Sequence, residues 1–155
     1  MVKILLINAS PKKTGTTARF LKVFEKAAKQ EDINTKRIDL IDNKVETFNG
    51  KLNQKIRKFH PYLKLILEYD GFVIATPTYW FSLPGVLKNF IDNLTPFEEN
   101  NWMLEGKVAG CIVYSPEGGG TEVLKNLALT FNHMGIAIPP YGLIFYRDQK
   151  DKWAL

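Results

Sequence analysis

Two stretches of this chain are apolar on successive residues and run at once into a segment of helical period. Val2–Ile7, interrupted by one charge at Lys3, leads through a hydroxyl-rich turn into Ala18–Ala28. Phe72–Thr76 leads through Pro77–Pro84 into a second such segment. A strand that is apolar on both faces has to be covered on both, which is the position of a central strand in a parallel sheet. Parallel neighbours require long crossovers, and the helical segments supply them.

The rest of the chain fits that frame. The first strand is Val2–Asn8, and a helix over Thr17–Gln30 carries Phe20, Leu21, Phe24, Ala27 and Ala28 on one stripe. Asn34–Leu40 alternates and is more charged, as an edge strand is. Ile41–Phe59 shows no clear period and ends in the basic run Lys55-Ile56-Arg57-Lys58. A helix resumes at Pro61, with proline in its first turn, and ends at Tyr69-Asp70-Gly71. The next helix starts near Pro84, and Thr95–Glu105 reads as a loop. A fourth strand spans Lys107–Tyr114, a helix capped by Thr121 follows and stops at Gly135, and a fifth strand is split by Pro139-Pro140 with its second part at Tyr141–Tyr146. The alternation predicts an α/β three-layer sandwich with a five-stranded parallel sheet in the order 2-1-3-4-5, as a single domain over residues 1–155. Ligands of such sheets bind beyond the carboxyl ends of the strands. Only Asp148–Leu155 remain for a closing helix, so part of one face is left uncovered, and a homodimer is predicted to cover it.

Three loops leave the ligand edge of this sheet. The first, Ser10 to Thr17, holds four hydroxyls with Lys12, Lys13 and Gly15 among them, directly before a helix. That combination of donors and helix N-terminus suits a phosphate. The competing reading is a plain helix cap by Thr16 or Thr17. Neither G-x-x-x-x-G-K-[ST] nor G-x-G-x-x-G is present. The second loop sets Tyr79, Trp80 and Phe81 between prolines, where they read either as a buried plug or as the wall of a ligand pocket. The third, Ser115–Gly120, ends in three glycines, and glycine lets main chain approach a ligand closely. Together the loops predict a ligand with a phosphate at one end and a flat ring at the other.

Composition narrows the partners. Residues 1–64 hold 15 Lys/Arg against 6 Asp/Glu, and residues 65–155 hold 6 against 10. Solvated helix faces account for the basic half first, and attraction of a phosphorylated ligand second. No cluster of basic and aromatic residues resembles a nucleic-acid platform. No apolar run approaches the ~20 residues of a membrane span, and the N-terminus enters the first strand without a signal peptide's features. One cysteine, Cys111, leaves no internal disulfide and no cysteine-only metal site. These features predict a cytoplasmic protein without nucleic-acid or membrane partners.

The loops resemble those of the flavodoxin-like NAD(P)H-dependent FMN reductases, most closely the short branch related to iron–sulfur flavoproteins. Ser10-Pro11-Lys12-Lys13-Thr14-Gly15-Thr16-Thr17 is similar to that branch's Ser-Pro-Arg-Lys-Asn-Gly-Asn-Thr. Pro77-Thr78-Tyr79-Trp80, with Pro84-Gly85 and Leu87-Lys88-Asn89-Phe90-Ile91-Asp92, resembles its second signature. The resemblance implies FMN, its phosphate on the loop bearing Ser10, Lys12, Thr14, Gly15, Thr16 and Thr17. It implies a ring along Pro77, Thr78, Tyr79, Trp80 and Phe81 and against Ser115, Pro116, Glu117, Gly118, Gly119 and Gly120. NADH or NADPH would be the co-substrate, with the basic half favouring the extra phosphate of NADPH. A quinone or another small molecule would be the acceptor. The alternative is a flavodoxin-type electron carrier without a nicotinamide substrate. Two departures stand out. The cluster cysteines are absent, since Thr47–Phe59 has none, which excludes an iron–sulfur centre and leaves no metal. Thr14 and Thr16 replace amides. Flavin N5 carries the chemistry in such enzymes, so no catalytic acid or base is assigned; His60, His133 and Cys111 read as structural.

Overall fold

A computed structural model describes residues 1–52 and 54–147. Five strands form one sheet: β1 (Lys3–Asn8), β2 (Asn34–Asp39), β3 (Gly71–Pro77), β4 (Val108–Tyr114) and β5 (Leu143–Tyr146). Their order is β2-β1-β3-β4-β5 and every neighbouring pair is parallel. The helices are α1 (Thr16–Gln30), α2 (Pro61–Leu67), α3 (Gly85–Asp92), α4 (Thr95–Glu99) and α5 (Gly120–His133). This is the flavodoxin-like topology expected from the two doubly apolar strands. β3 is buried along its whole length and Leu5 to Asn8 of β1 are buried with it.

The sheet separates two unequal cores. The larger lies under α2, α3, α4 and α5 and includes Leu5, Ile7, Phe72, Ile74, Phe90, Phe97 and Phe131. The smaller lies under α1, the one described helix on that side: Leu6, Leu21, Val73, Ala75 and Ile112, with Ile4, Phe20 and Phe24 at its margin. Period-two alternation divides each central strand between them.

Three boundaries differ from the sequence-based expectation. Thr95–Glu105 is not all loop, because Thr95–Glu99 forms a short helix with Pro96 in its first turn and Phe97 fully buried. The burial of one aromatic there overrides a sequence with little helical period. Thr121 does not cap α5. The helix begins two residues earlier, with Gly119 as N-cap in the left-handed region at φ 81°. The first part of the fifth strand reduces to a single bridge, Ala137 to Val108, and β5 proper starts only at Leu143. A turn closed by Gly142 N–H donating to the Pro139 carbonyl at 2.9 Å separates the two.

The unreadable stretch between β2 and α2 is a strap across the larger core. A 3₁₀ turn covers Leu40–Asn43 and another Ile56–Lys58. Asn93 Nδ2 donates to the Glu46 carbonyl at 2.8 Å and Asn100 Nδ2 to the Gln54 carbonyl at 3.0 Å. Phe59 packs edge-on against Phe97 with ring centroids 5.0 Å apart. Few apolar anchors and side-chain-to-backbone bonds from elsewhere in the chain explain why no local period marks this segment.

Among the described residues, β5 presents an open apolar face. Leu143, Ile144, Phe145 and Tyr146 are 38, 47, 44 and 44% exposed, respectively. Beside them a cavity of about 250 Å³ opens onto Phe24, Gly110, Ile112, Tyr141 and Ile144. Any closing helix over Asp148–Leu155 lies outside the described residues. No described helix is long and apolar enough to cross a membrane.

Candidate functional site

Asn8 ends β1 and is completely buried, a polar residue at the carboxyl end of an otherwise apolar central strand. A buried amide must be paired. Its Oδ1 accepts the Thr17 hydroxyl at 3.1 Å and its Nδ2 donates to Asp39 Oδ1 at 2.6 Å. The loop between Asn8 and Thr17 is therefore closed at its base by a side-chain bond. Ser10 Oγ accepts from the Lys12 N–H at 3.1 Å, which makes the first bend.

α1 then starts at Thr16, with Gly15 as N-cap and no side chain satisfying its first N–H groups. That decides against the plain cap: neither Thr16 nor Thr17 caps the helix, and the Thr17 proton goes to Asn8. An α-helix leaves its first N–H groups without intrahelical partners, and its N-terminus carries the positive end of the macrodipole. A cavity of about 310 Å³ opens at this point, lined by Ser10, Lys12, Gly15, Thr16 and Thr17 on one side. Pro77, Thr78, Tyr79, Tyr114 and Pro116 complete it. Thr14 is exposed and is not among the lining residues. The Lys13 ammonium is paired with Asp42 at 2.6 Å, which holds its pKa above the ordinary lysine value.

The second loop is a tight hairpin. Tyr79 and Ser82 exchange backbone hydrogen bonds of 3.1 and 3.0 Å. The two residues between them, Trp80 and Phe81, sit at φ 49° and 61°. Positive φ at both central residues belongs to a mirror-image hairpin turn, which ordinarily selects Asn and Gly. Bulky side chains there cost on the order of 1–3 kcal/mol each, and such strain gathers at ligand sites. The aromatics are no buried plug: Tyr79, Trp80 and Phe81 are 45, 95 and 59% exposed.

The third loop closes on the second. Ser115 is buried, its hydroxyl donating to the Gly118 carbonyl while accepting from Thr78 Oγ1 at 3.3 Å. A Cβ on Gly119 would lie 2.5 Å from the Phe81 backbone. Gly120 is packed in the same way against the Phe145 ring. These two glycines therefore let main chain approach the protein's own hairpin and β5, whereas the sequence suggested a ligand. Between the loops runs a cleft of about 640 Å³ lined by Thr78, Tyr79, Trp80, Phe81, Pro116, Glu117 and Gly118. It shares Thr78, Tyr79 and Pro116 with the first cavity. Polar and cationic at one end, aromatic at the other, the combined cleft is of the size ligand sites have. It fits a phosphorylated ring compound.

Two contributions were not read from the sequence. Tyr114 lines the first cavity and stacks on Tyr146 at 6.1 Å, which in turn meets Phe20 edge-on at 5.2 Å. Its place at the carboxyl end of a strand was the available signal. Asn8, a polar interruption in a buried strand, was the other. His60 and His133 line neither cavity. His60 caps α2, its Nδ1 accepting from the Tyr62 N–H, and His133 lies 3.5 Å from Glu98. Among the described residues no group of three or more His, Cys, Asp or Glu side chains could hold a metal ion. Burial pushes the Cys111 thiol up to about 12, so it carries no thiolate at neutral pH.

An iron–sulfur flavoprotein of Archaeoglobus fulgidus is 27% identical over 150 residues, covering 92% of this chain and 74% of that protein. The crystal structure of RosB with bound 8-demethyl-8-formylriboflavin-5′-phosphate superposes with a TM-score of 0.77 at 19% identity, over 95% of this chain and 65% of that one. A flavodoxin from the domain Archaea gives 0.66 at 15% identity, over 96% of this chain and 87% of that one. These structural likenesses carry the fold. The family described as NADPH-dependent FMN reductase matches residues 2–149, and with nearly its whole length inside that match the chain belongs to this family.

Proposed function

We propose that the protein is an FMN-dependent NAD(P)H oxidoreductase that passes electrons to a quinone or another small acceptor. Membership of the family makes FMN the cofactor and a reduced nicotinamide the electron donor. The phosphate is assigned to the loop of Ser10, Lys12, Thr14, Gly15, Thr16 and Thr17. The ring is assigned to the cleft between Pro77–Phe81 and Ser115–Gly120. The observation that carries the assignment is the side-chain-free N-terminus of α1 opening into the same cleft as an exposed aromatic hairpin.

Bound FMN supplies the hydride chemistry. The chain's part is to hold the phosphate on the α1 amides and Lys12 and to confine the ring between the hairpin and Pro116–Gly118. It leaves an open side on which a nicotinamide and then an acceptor stack. Exposed β5 supports a homodimer, and the single buried Cys111 suits a cytoplasmic enzyme.

Anaerobic addition of NADPH or NADH to the FMN-loaded protein is expected to bleach the visible flavin band, and a quinone to restore it. Failure to bleach with either nicotinamide would leave the electron-carrier reading. Failure to bind FMN at all would remove both.

A further inference from the structure

β2 is the most charged strand of the sheet, and the carboxyl end of this strand reaches under the first loop. Arg37 Nη2 donates to the Lys13 carbonyl at 2.7 Å and to Asp39 Oδ1 at 2.6 Å. The same Asp39 oxygen accepts from Asn8 Nδ2 at 2.6 Å. Asn8 Nδ2 also reaches the Lys12 carbonyl at 3.4 Å, and its Oδ1 holds the Thr17 hydroxyl. Arg37 and Asp39 side chains are 20 and 17% exposed. One network thus ties the strand end, two successive loop carbonyls and the first turn of α1.

We propose that Arg37, Asp39 and Asn8 are positioning residues for the flavin phosphate, acting by turning loop carbonyls away from it. This rests on the reading of Ser10–Thr17 as a phosphate site. A trans peptide carries C=O and N–H on opposite sides. With the Lys12 and Lys13 carbonyls drawn toward Asn8 and Arg37, the N–H groups of Lys13 and Thr14 face away from that network, at the rim of the cavity that Lys12 and Gly15 line. An anion needs donors, and a carbonyl turned toward it would repel it. One guanidinium nitrogen of Arg37, Nη2, serves the Lys13 carbonyl and the Asp39 carboxylate at once. Its charge is largely spent on Asp39, so the contribution is geometric.

The test titrates wild type, Arg37→Met, Arg37→Lys and Asp39→Ala with FMN and with riboflavin, which lacks the phosphate. Affinity is read from flavin fluorescence, and folding from far-UV circular dichroism. Arg37→Met and Asp39→Ala are each expected to raise the FMN Kd about tenfold while riboflavin stays within about twofold. Arg37→Lys keeps the charge on a shorter side chain that does not place a donor where Nη2 sits, and a smaller loss specific to FMN is expected. The sign for Asp39→Ala separates geometry from charge. Removing a negative charge near a phosphate tightens binding if charge alone counts, and loosens it if the network shapes the loop. FMN binding unchanged or tighter in Asp39→Ala overturns the proposal. So does Arg37→Lys behaving as wild type, or a variant losing FMN and riboflavin in equal proportion. Should Arg37→Met not fold, the other two variants decide. A wild-type protein that binds riboflavin and FMN equally well would instead overturn the phosphate reading of the loop itself.

Discussion

Thr17 is 2% exposed and gives its hydroxyl proton to Asn8. Its side chain therefore shapes the loop, while its main-chain N–H remains for a ligand. Thr17→Val keeps the volume and leaves Asn8 Oδ1 without this donor. We expect a loss of roughly 1–3 kcal/mol in the stability of the apo-protein, read by urea unfolding, with FMN affinity falling alongside. Thr17→Ser, which keeps the hydroxyl, is expected to cost less. Apo-stability equal to wild type in the valine variant would mean that the hydroxyl acts on the cofactor alone. Lys13 illustrates the same division. Its carbonyl goes to Arg37 and its ammonium to Asp42, so Lys12 is the loop lysine that lines the cavity.

At the scale of elements, two loops interlock. The Tyr79–Ser82 hairpin rests on Gly119, whose own φ of 81° is that of the α5 N-cap. A Cβ there would strike the Phe81 backbone and hold alanine in a left-handed conformation at once. Gly119→Ala is expected to lower stability by about 1–2 kcal/mol from the backbone term alone and to displace the hairpin. The check is a lower melting temperature together with altered fluorescence of bound FMN. A variant with wild-type melting and wild-type flavin fluorescence would mean that the hairpin does not depend on this contact. β5 props both walls from behind: Phe145 packs at Gly120, and the Tyr146 carbonyl accepts the Ser115 N–H at 2.9 Å. An edge strand is thereby tied to the site although none of its residues lines it.

For the molecule as a whole, burial makes stability sensitive to alkali. Tyr62 and Cys111 are both pushed up to about 12 by desolvation, from ordinary values of 10.0 and 9.0. The unfolded chain releases these protons first, so between the two sets of values the native state binds more protons and stability falls as pH rises. Their contribution is full below about pH 9 and is lost toward about pH 12. Lys107, whose pKa burial lowers, works in the opposite sense as a single group. Melting temperatures are expected to drop steadily across that range; a flat profile would count against burial of the two groups. The exposed apolar β5 bears on assembly. Sedimentation is expected to return twice the 17.7 kDa chain mass, and Ile144→Asp to return the monomer. A wild-type monomer would rule out the dimer.

The sequence by itself determined the sheet. Val2–Ile7 and Phe72–Thr76 are apolar on both faces, and only central parallel strands flanked by helices bury both; the order and the ligand edge follow from that. It also placed the three loops, because each directly follows a strand in a sheet whose strands all run one way. Tertiary structure alone decided what those loops do to one another. That Gly119 seats Phe81, that Thr17 answers Asn8, and that Arg37 holds Lys13 from a neighbouring strand are contacts between residues far apart in the chain or on opposite sides of a turn. Hydrophobic period carries no trace of such contacts. Burial of Phe97 and the strap over Ile41–Phe59 were hidden for the same reason: their stability comes from partners that local sequence does not contain.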